Sequence, residues 1–199
     1  MQKILLFALV VLMTATSCRQ IFAKRVRGNG SVGTETRQVA NFNSIDVSGA
    51  IDVYVSQSPE SSIKIEGDQN LLEYVEVYEE GGTLRIHTRK GINMKPTRSM
   101  KVHVSNPDFK GFEASGAGSV KLAGKTKDFS VDGSGSTEVQ CFDLLAENVR
   151  IDISGAGDAQ VFASVKLDVD VSGAGNVRYK GNANVTQNIS GAGSVKKLD

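Results

Sequence analysis

A short motif, Ser-Gly-Ala-Gly, recurs through the second half of the chain, and a tandem repeat narrows the possible folds more than composition can. Its copies are Ser115-Gly116-Ala117-Gly118, Ser154-Gly155-Ala156-Gly157, Ser172-Gly173-Ala174-Gly175 and Ser190-Gly191-Ala192-Gly193, with Gly133-Ser134-Gly135-Ser136 as a variant and Ser48-Gly49-Ala50 as a degenerate early copy. Taken at positions 116, 133, 155, 173 and 191, the first glycines are spaced by 17, 22, 18 and 18 residues. Between copies the apolar residues alternate, as in Val149-Arg150-Ile151-Asp152-Ile153 and Leu167-Asp168-Val169-Asp170-Val171. Alternation with a period of two means strands with one buried face. The glycines punctuate the strands, since glycine alone takes positive φ without strain.

Aligned copy on copy, the residues fall into columns. Val120, Thr137, Ala159, Val177 and Val195 form one inward column. Leu122, Val139, Val161 and Tyr179 form the next, and Lys197 at its end marks the open end of the array. Lys121, Glu138, Gln160, Arg178 and Lys196 make a polar column between them. Gly124, Cys141, Ala163 and Gly181 are small, as at an inward corner, so Cys141 reads as a buried structural residue. A repeat of this length with a few short strands is the unit of a solenoid, in which stacking supplies the core that no single repeat can build. The expectation is an all-β, right-handed parallel β-helix or β-solenoid with a less regular N-terminal β region. The alternative is a β-sandwich, which also shows turns at regular spacing.

The region before the repeats is less regular. Phe42 to Val55 reads as two strands around Ser48-Gly49, and Ile63 to Glu66 as another. Asp68 is placed to cap a short turn through Leu71 and Leu72. Val75 to Tyr78 and Leu84 to Thr88 are expected to form a hairpin across Gly81-Gly82. Lys90 to Ser99, basic and carrying Pro96, reads as a loop before a strand at Met100 to Val104.

The first residues have the three zones of an export signal: Lys3, the apolar run Ile4 to Met13, and the small residues Thr14 to Ser17, followed by Cys18. A cysteine at that place is the lipidation site of a bacterial lipoprotein; the competing reading is plain secretion with a coincidental cysteine. Arg19, Lys24, Arg25 and Arg27 all precede the first acidic residue and can approach anionic headgroups. The division expected is a signal peptide at 1–17, a basic tether at 18–36, and a β-solenoid domain at 37–199, with an irregular part at 37–104 and the repeats at 105–199. From Thr34 onward there are 18 Lys and Arg against 22 Asp and Glu, a mildly acidic balance that argues against nucleic acid. With Cys18 lipidated, Cys141 has no partner for an internal disulfide.

Together, Gly28-Asn29-Gly30, Glu35-x-Arg37, Phe42-x-x-Ile45-x-Val47 and the Ser-Gly-Ala-Gly copies resemble a bacterial envelope family known as putative auto-transporter adhesin, head GIN domain. The resemblance runs from about Val26 to the C-terminus. It implies a right-handed β-helix in an exported protein of Bacteroidetes-type bacteria, without a proven activity. Surface-displayed lipoproteins of such bacteria carry an acidic run after the lipidated cysteine. Arg19 to Lys24 has none, which points to the outer membrane facing the periplasm.

Catalytic signatures are weak. Gly116-x-Gly118 lacks the third glycine of a dinucleotide loop, and no P-loop occurs, so no nucleotide is expected. His87 and His103 could pair on a metal only if their strands were neighbours, and otherwise read as solvent-facing strand positions. In the repeat alignment, Glu113, Ser130, Asp152, Asp170 and Asn188 share a column, with Asp128, Arg150 and Asp168 two residues earlier. Arg150 can neutralise Asp152 and Asp168 in a salt-bridge ladder; a Ca²⁺ ion on Asp152, Asp168 and Asp170 is the competing reading. The function expected is a lipid-anchored envelope protein with a non-enzymatic binding or scaffolding role, in adhesion or in contact with cell-wall glycan, with no catalytic residues, metal or cofactor. The membrane is its partner through the anchor, and a glycan or an envelope protein is the candidate ligand. The alternative is a polysaccharide-active enzyme using the acidic face, a reading weakened by the absence of Trp. A third is an accessory partner of envelope-stress signalling.

Overall fold

A computed structural model describes residues 23–199, and all sixteen of its strands but two join one sheet. The exceptions, β1 (Lys24–Arg27) and β8 (Ile92–Lys95), pair with each other in parallel. Part of the stretch expected to be tether is therefore strand, and so is part of the expected loop at Lys90 to Ser99. Val26 and Met94, facing each other in register, pack against the core and explain why a polar, basic segment orders.

The remaining N-terminal strands are β2 (Val32–Arg37), β3 (Ser44–Gly49), β4 (Ile51–Gln57), β5 (Ser62–Asp68), β6 (Val75–Glu80), β7 (Thr83–Thr88) and β9 (Met100–Asn106). β6 and β7 form the expected antiparallel hairpin. A 3-10 helix, Gln69–Tyr74, buries Leu71 and Leu72. Asp68 stands at its N-cap position but makes no side-chain cap bond there. Its carboxylate accepts instead from the Gly30 amide at 2.8 Å and from Thr97 through the amide and the hydroxyl, each at 2.7 Å.

The repeats supply β10 (Gly111–Gly116), β11 (Ser119–Gly135), β12 (Glu138–Gly155), β13 (Asp158–Gly173), β14 (Asn176–Lys180), β15 (Asn184–Gly191) and β16 (Ser194–Lys197). Each lies parallel on the equivalent segment of the next, in two ladders. One runs β6-β7-β3-β10 and on through the second halves of β11, β12 and β13 to β15. The other runs β2-β5-β9-β4 and on through the first halves of β11, β12 and β13 to β14 and β16. The inward columns carry one continuous core from Phe42 to Val177.

The register corrects the alignment of the second copy. Gly116 pairs with Gly135, not Gly133, and Gly135 with Gly155, so the equivalent glycines are spaced by 19, 20, 18 and 18 residues. Gly133 pairs with Ala114 and Ile153, in a buried column. Val120 accordingly faces Val139, and the polar column continues from Lys121 to Gln140 rather than Glu138. Thr137 replaces a motif glycine: its carbonyl accepts from the Asp158 amide as Gly118 accepts from Glu138 and Gly157 from Asn176. Cys141 is buried as expected, but opposite Val161 in a large-residue column and not at a small corner. Burial pushes its thiol pKa far up, which leaves it unreactive.

The motif glycines are fixed by backbone approach. Gly173 has φ +139°, and a Cβ there would lie 2.2 Å from the Gly155 carbonyl oxygen. That same oxygen accepts from the Ala174 amide at 2.8 Å. The hydrogen bond that joins two repeats therefore needs the space a side chain would fill.

Candidate binding face

Because strands stack in register, each outward position becomes a line of side chains about 4.8 Å apart. On the β3-to-β15 ladder, Asp46, Glu113, Asp132, Asp152, Asp170 and Asn188 stand in one line, with Arg85 before Asp46. Asp132 belongs in the line where the sequence alignment had placed Ser130; the two-residue misregister hid it. Two residues further along each strand runs a line of serines: Ser48, Ser115, Ser134, Ser154, Ser172 and Ser190. A strip of carboxylates on five successive strands, ending at the Asn188 amide on the sixth, thus runs beside a strip of hydroxyls on all six.

Like charges at this spacing repel, so their partners matter. Arg85 binds Asp46 and also Glu80, at 2.8 Å. Arg150 reaches Asp152 at 3.3 Å. Asp168 faces Arg150 in register, but its ion pair is with Lys166 on its own strand. Among the described residues, Asp170 accepts only from the Asn188 amide, at 3.3 Å. The expected ladder is thus built of pairs two residues apart on single strands rather than of one arginine bridging repeats. Among the described residues, Glu113 and Asp132 make no ion pair.

Beside the acidic line lies an open groove of about 520 Å³, lined by Lys110, Asp128, Phe129, Ser130, Asn148, Val149, Arg150, Lys166 and Asp168. Its charged groups are of both signs, and the Asn148 amide holds Asp128 at 2.8 Å. Such a groove offers hydrogen bonds to a polar chain laid across the strands.

The other sequence candidates resolve separately. His87 contacts Tyr78 Oη at 3.3 Å and lies 3.7 Å from Glu76. His103, on the other ladder, stacks on Tyr54 with centroids 5.1 Å apart. The two histidines are not brought together. Among the described residues, no group of three His, Cys, Asp or Glu side chains is arranged to hold a metal ion. Cys18 lies outside the described residues.

Several residues behind the family resemblance serve structure. A Cβ on Gly28 would stand 2.1 Å from the Asp68 carboxylate, and Gly30 has φ +79°. Arg37 pairs with Glu35 and donates to the carbonyls of Leu72, at 3.1 Å, and Val75, closing the end of the 3-10 helix. Phe42, Ile45 and Val47 are core. Asp68 itself, the hub of this arrangement, reads in sequence only as a cap.

A structure search finds a putative adhesin from Bacteroides fragilis, 19% identical, with a TM-score of 0.60, matched over 87% of this chain and 100% of that one. A putative lipid binding protein from Parabacteroides distasonis is 21% identical, with a TM-score of 0.50, over 88% of this chain and 100% of that one. At these identities the likeness is one of fold. No curated protein matches the sequence. The model of the family described as "Putative auto-transporter adhesin, head GIN domain" matches residues 41–121 and 111–183, so the chain belongs to that family.

Proposed function

We propose that the protein is a cell-envelope lipoprotein, anchored through Cys18 to the outer membrane and facing the periplasm, whose domain is a right-handed β-solenoid serving as a non-enzymatic binding or scaffolding surface. The observation that carries the binding role is the pair of parallel lines, carboxylate and serine, repeated on strand after strand. A face that presents the same two groups at a fixed spacing suits a ligand that is itself repetitive and rich in hydroxyl and amide groups. A cell-wall glycan has that chemistry; an envelope protein edge is the other candidate. The adhesin names in the family point the same way. Parallel in-register stacking of 18- to 20-residue repeats supports the solenoid over a sandwich, whose strands need not repeat side-chain type.

The test is a glycan and cell-wall pull-down with the soluble domain, residues 23–199. Binding should fall at least tenfold when Asp132, Asp152 and Asp170 are all changed to Asn while the fold is kept. Undiminished capture by the triple variant would remove this face from the function. The anchor is tested apart: Cys18→Ser should abolish palmitate labelling and release the protein from membranes.

A further inference from the structure

The two-stranded ribbon β1–β8 is set off from the main sheet and differs from it in charge. Arg25, Arg27 and Lys95 line an open cleft of about 620 Å³ with Pro96 and Thr97, and no carboxylate lines it. Lys24 precedes Arg25 and Arg27 on β1, and among the described residues none of these four cations makes an ion pair. From Thr34 onward the chain is mildly acidic, so the ribbon is a local exception.

The ribbon is held rigidly. Gly28 donates to the Lys95 carbonyl at 3.0 Å and Lys24 to Gly91 at 2.7 Å. Asn70 donates to the Arg27 carbonyl at 2.9 Å. Asp68 ties Gly30 to Thr97, and so binds the exit of β1 to the exit of β8. With the backbone held, only the cationic side chains have freedom to lose on meeting an anionic partner.

We propose that this ribbon is the face on which the domain docks against an anionic bilayer, its cleft taking lipid headgroup phosphates. The inference rests on the lipoprotein reading for its geometry. Residues 19–23 alone separate Cys18 from β1. So short a segment spans at most about 20 Å, which holds the ribbon at the headgroups of the leaflet that carries the anchor. Charge decides the orientation: the cations fall within a Debye length of about 8–10 Å of the surface, while the acidic line belongs to a different sheet. Each cation near such a surface contributes enough for about a fivefold gain in partitioning.

The experiment uses the unlipidated domain, residues 23–199, so its outcome is independent of Cys18; every described strand and the whole core lie within it. The domain should sediment with vesicles of phosphatidylglycerol and phosphatidylcholine, not with phosphatidylcholine alone, and high salt should release it. Changing Arg25, Arg27 and Lys95 together to Gln should weaken binding roughly a hundredfold. Lys95→Gln alone should weaken it about fivefold, which keeps the test open if the triple variant melts early. Lys121→Gln with Lys196→Gln, on the other ladder, should change nothing. Equal binding to both vesicle types, undiminished binding by the Lys95 and triple variants, full competition by millimolar inorganic phosphate, or equal binding to heparin would each overturn the proposal. Palmitate labelling of the full chain tests Cys18 separately, so failure of one leaves the other standing.

Discussion

From Gly111 onward the strands run parallel and are fastened by backbone, glycine carbonyl to the amide of the next repeat. Before that point, the antiparallel pairs β2–β5, β5–β9 and β6–β7 cap the two ladders, and the fastening passes through buried polar side chains. Asp68 gathers the loops at Gly30 and Thr97. Asn106 donates to Phe42 and Asp108 carbonyls and accepts from Ser61. One half tolerates variety in its outward residues and none in its positive-φ motif glycines, Gly116, Gly135, Gly155, Gly173 and Gly191. The other depends on single residues that occur once. A repeat spreads its stability over equivalent contacts, whereas an end cap, having no neighbour to copy, concentrates it.

The largest expected effect tests the repeat half. Gly173→Val places a β-branched residue at φ +139°, with its Cβ 2.2 Å from the Gly155 oxygen. It should cost on the order of 3 kcal/mol or more, or prevent folding, read by thermal or urea melting. Gly81→Ala is the matched control in the cap. Its φ is +61° and nothing lies within 4 Å, so strain alone remains, at about 1 kcal/mol. Equal losses at the two sites would mean that dihedral strain, and not close stacking, makes the repeat glycines necessary.

Asp68→Asn should give the next largest loss, because an amide nitrogen would face donors that now meet carboxylate oxygen. This variant also tests pH dependence. The hydroxyl of Thr97 first, then its amide, the Gly30 amide and Arg98, lower the Asp68 pKa below its ordinary 3.8. A lowered folded-state value means the stabilisation is complete above about 3.8 and is lost as pH falls from there through the folded value. The wild type should therefore lose melting temperature below about pH 4 more steeply than Asp68→Asn. Parallel acid limbs would show that the carboxylate is not what the cap depends on.

The same contrast explains what the sequence discloses. Alternation and repeated glycines reveal the strands, the inward columns and the hairpin at Gly81-Gly82, because each is a local or periodic signal. The second copy misleads: Ser134-Gly135-Ser136-Thr137 lacks its second motif glycine, while Gly133 in a core column mimics the first. That slip moved Asp132 out of the acidic line. The strand β8 was hidden for a different reason. Ile92 to Lys95 has too few apolar residues to read as strand, and it orders only because β1, far away in sequence, pairs with it. Asp68 joins residues that lie 38 and 29 positions away, and no local pattern encodes that.

The slipped copy carries its own test. Thr137 is buried, and among the described residues its Oγ1 has no hydrogen-bond partner. Thr137→Val keeps the shape and removes the stranded hydroxyl. It should raise stability by about 1 kcal/mol, or roughly 2–4 °C in melting temperature. A loss of stability would show that the hydroxyl is satisfied in solution.

The smallest effect is expected on the acidic line. Arg150 is 69% exposed and meets Asp152 through one contact at 3.3 Å. An exposed pair of this kind contributes less than about 1 kcal/mol, and Arg150→Ala should cost no more than that. Lys166 keeps its pair with Asp168, and Asn188 its bond to Asp170, so the substitution frees only Asp152. One freed carboxylate does not make a calcium site, which takes six to eight oxygens. Calcium or EDTA should therefore leave the melting temperature of both wild type and variant unchanged. Moderate salt should stabilise both slightly, by screening Asp132, Asp152 and Asp170 from one another. A calcium-dependent rise of several degrees in the wild type would instead mean that the line gathers around an ion, and that its spacing serves coordination and not the ligand face.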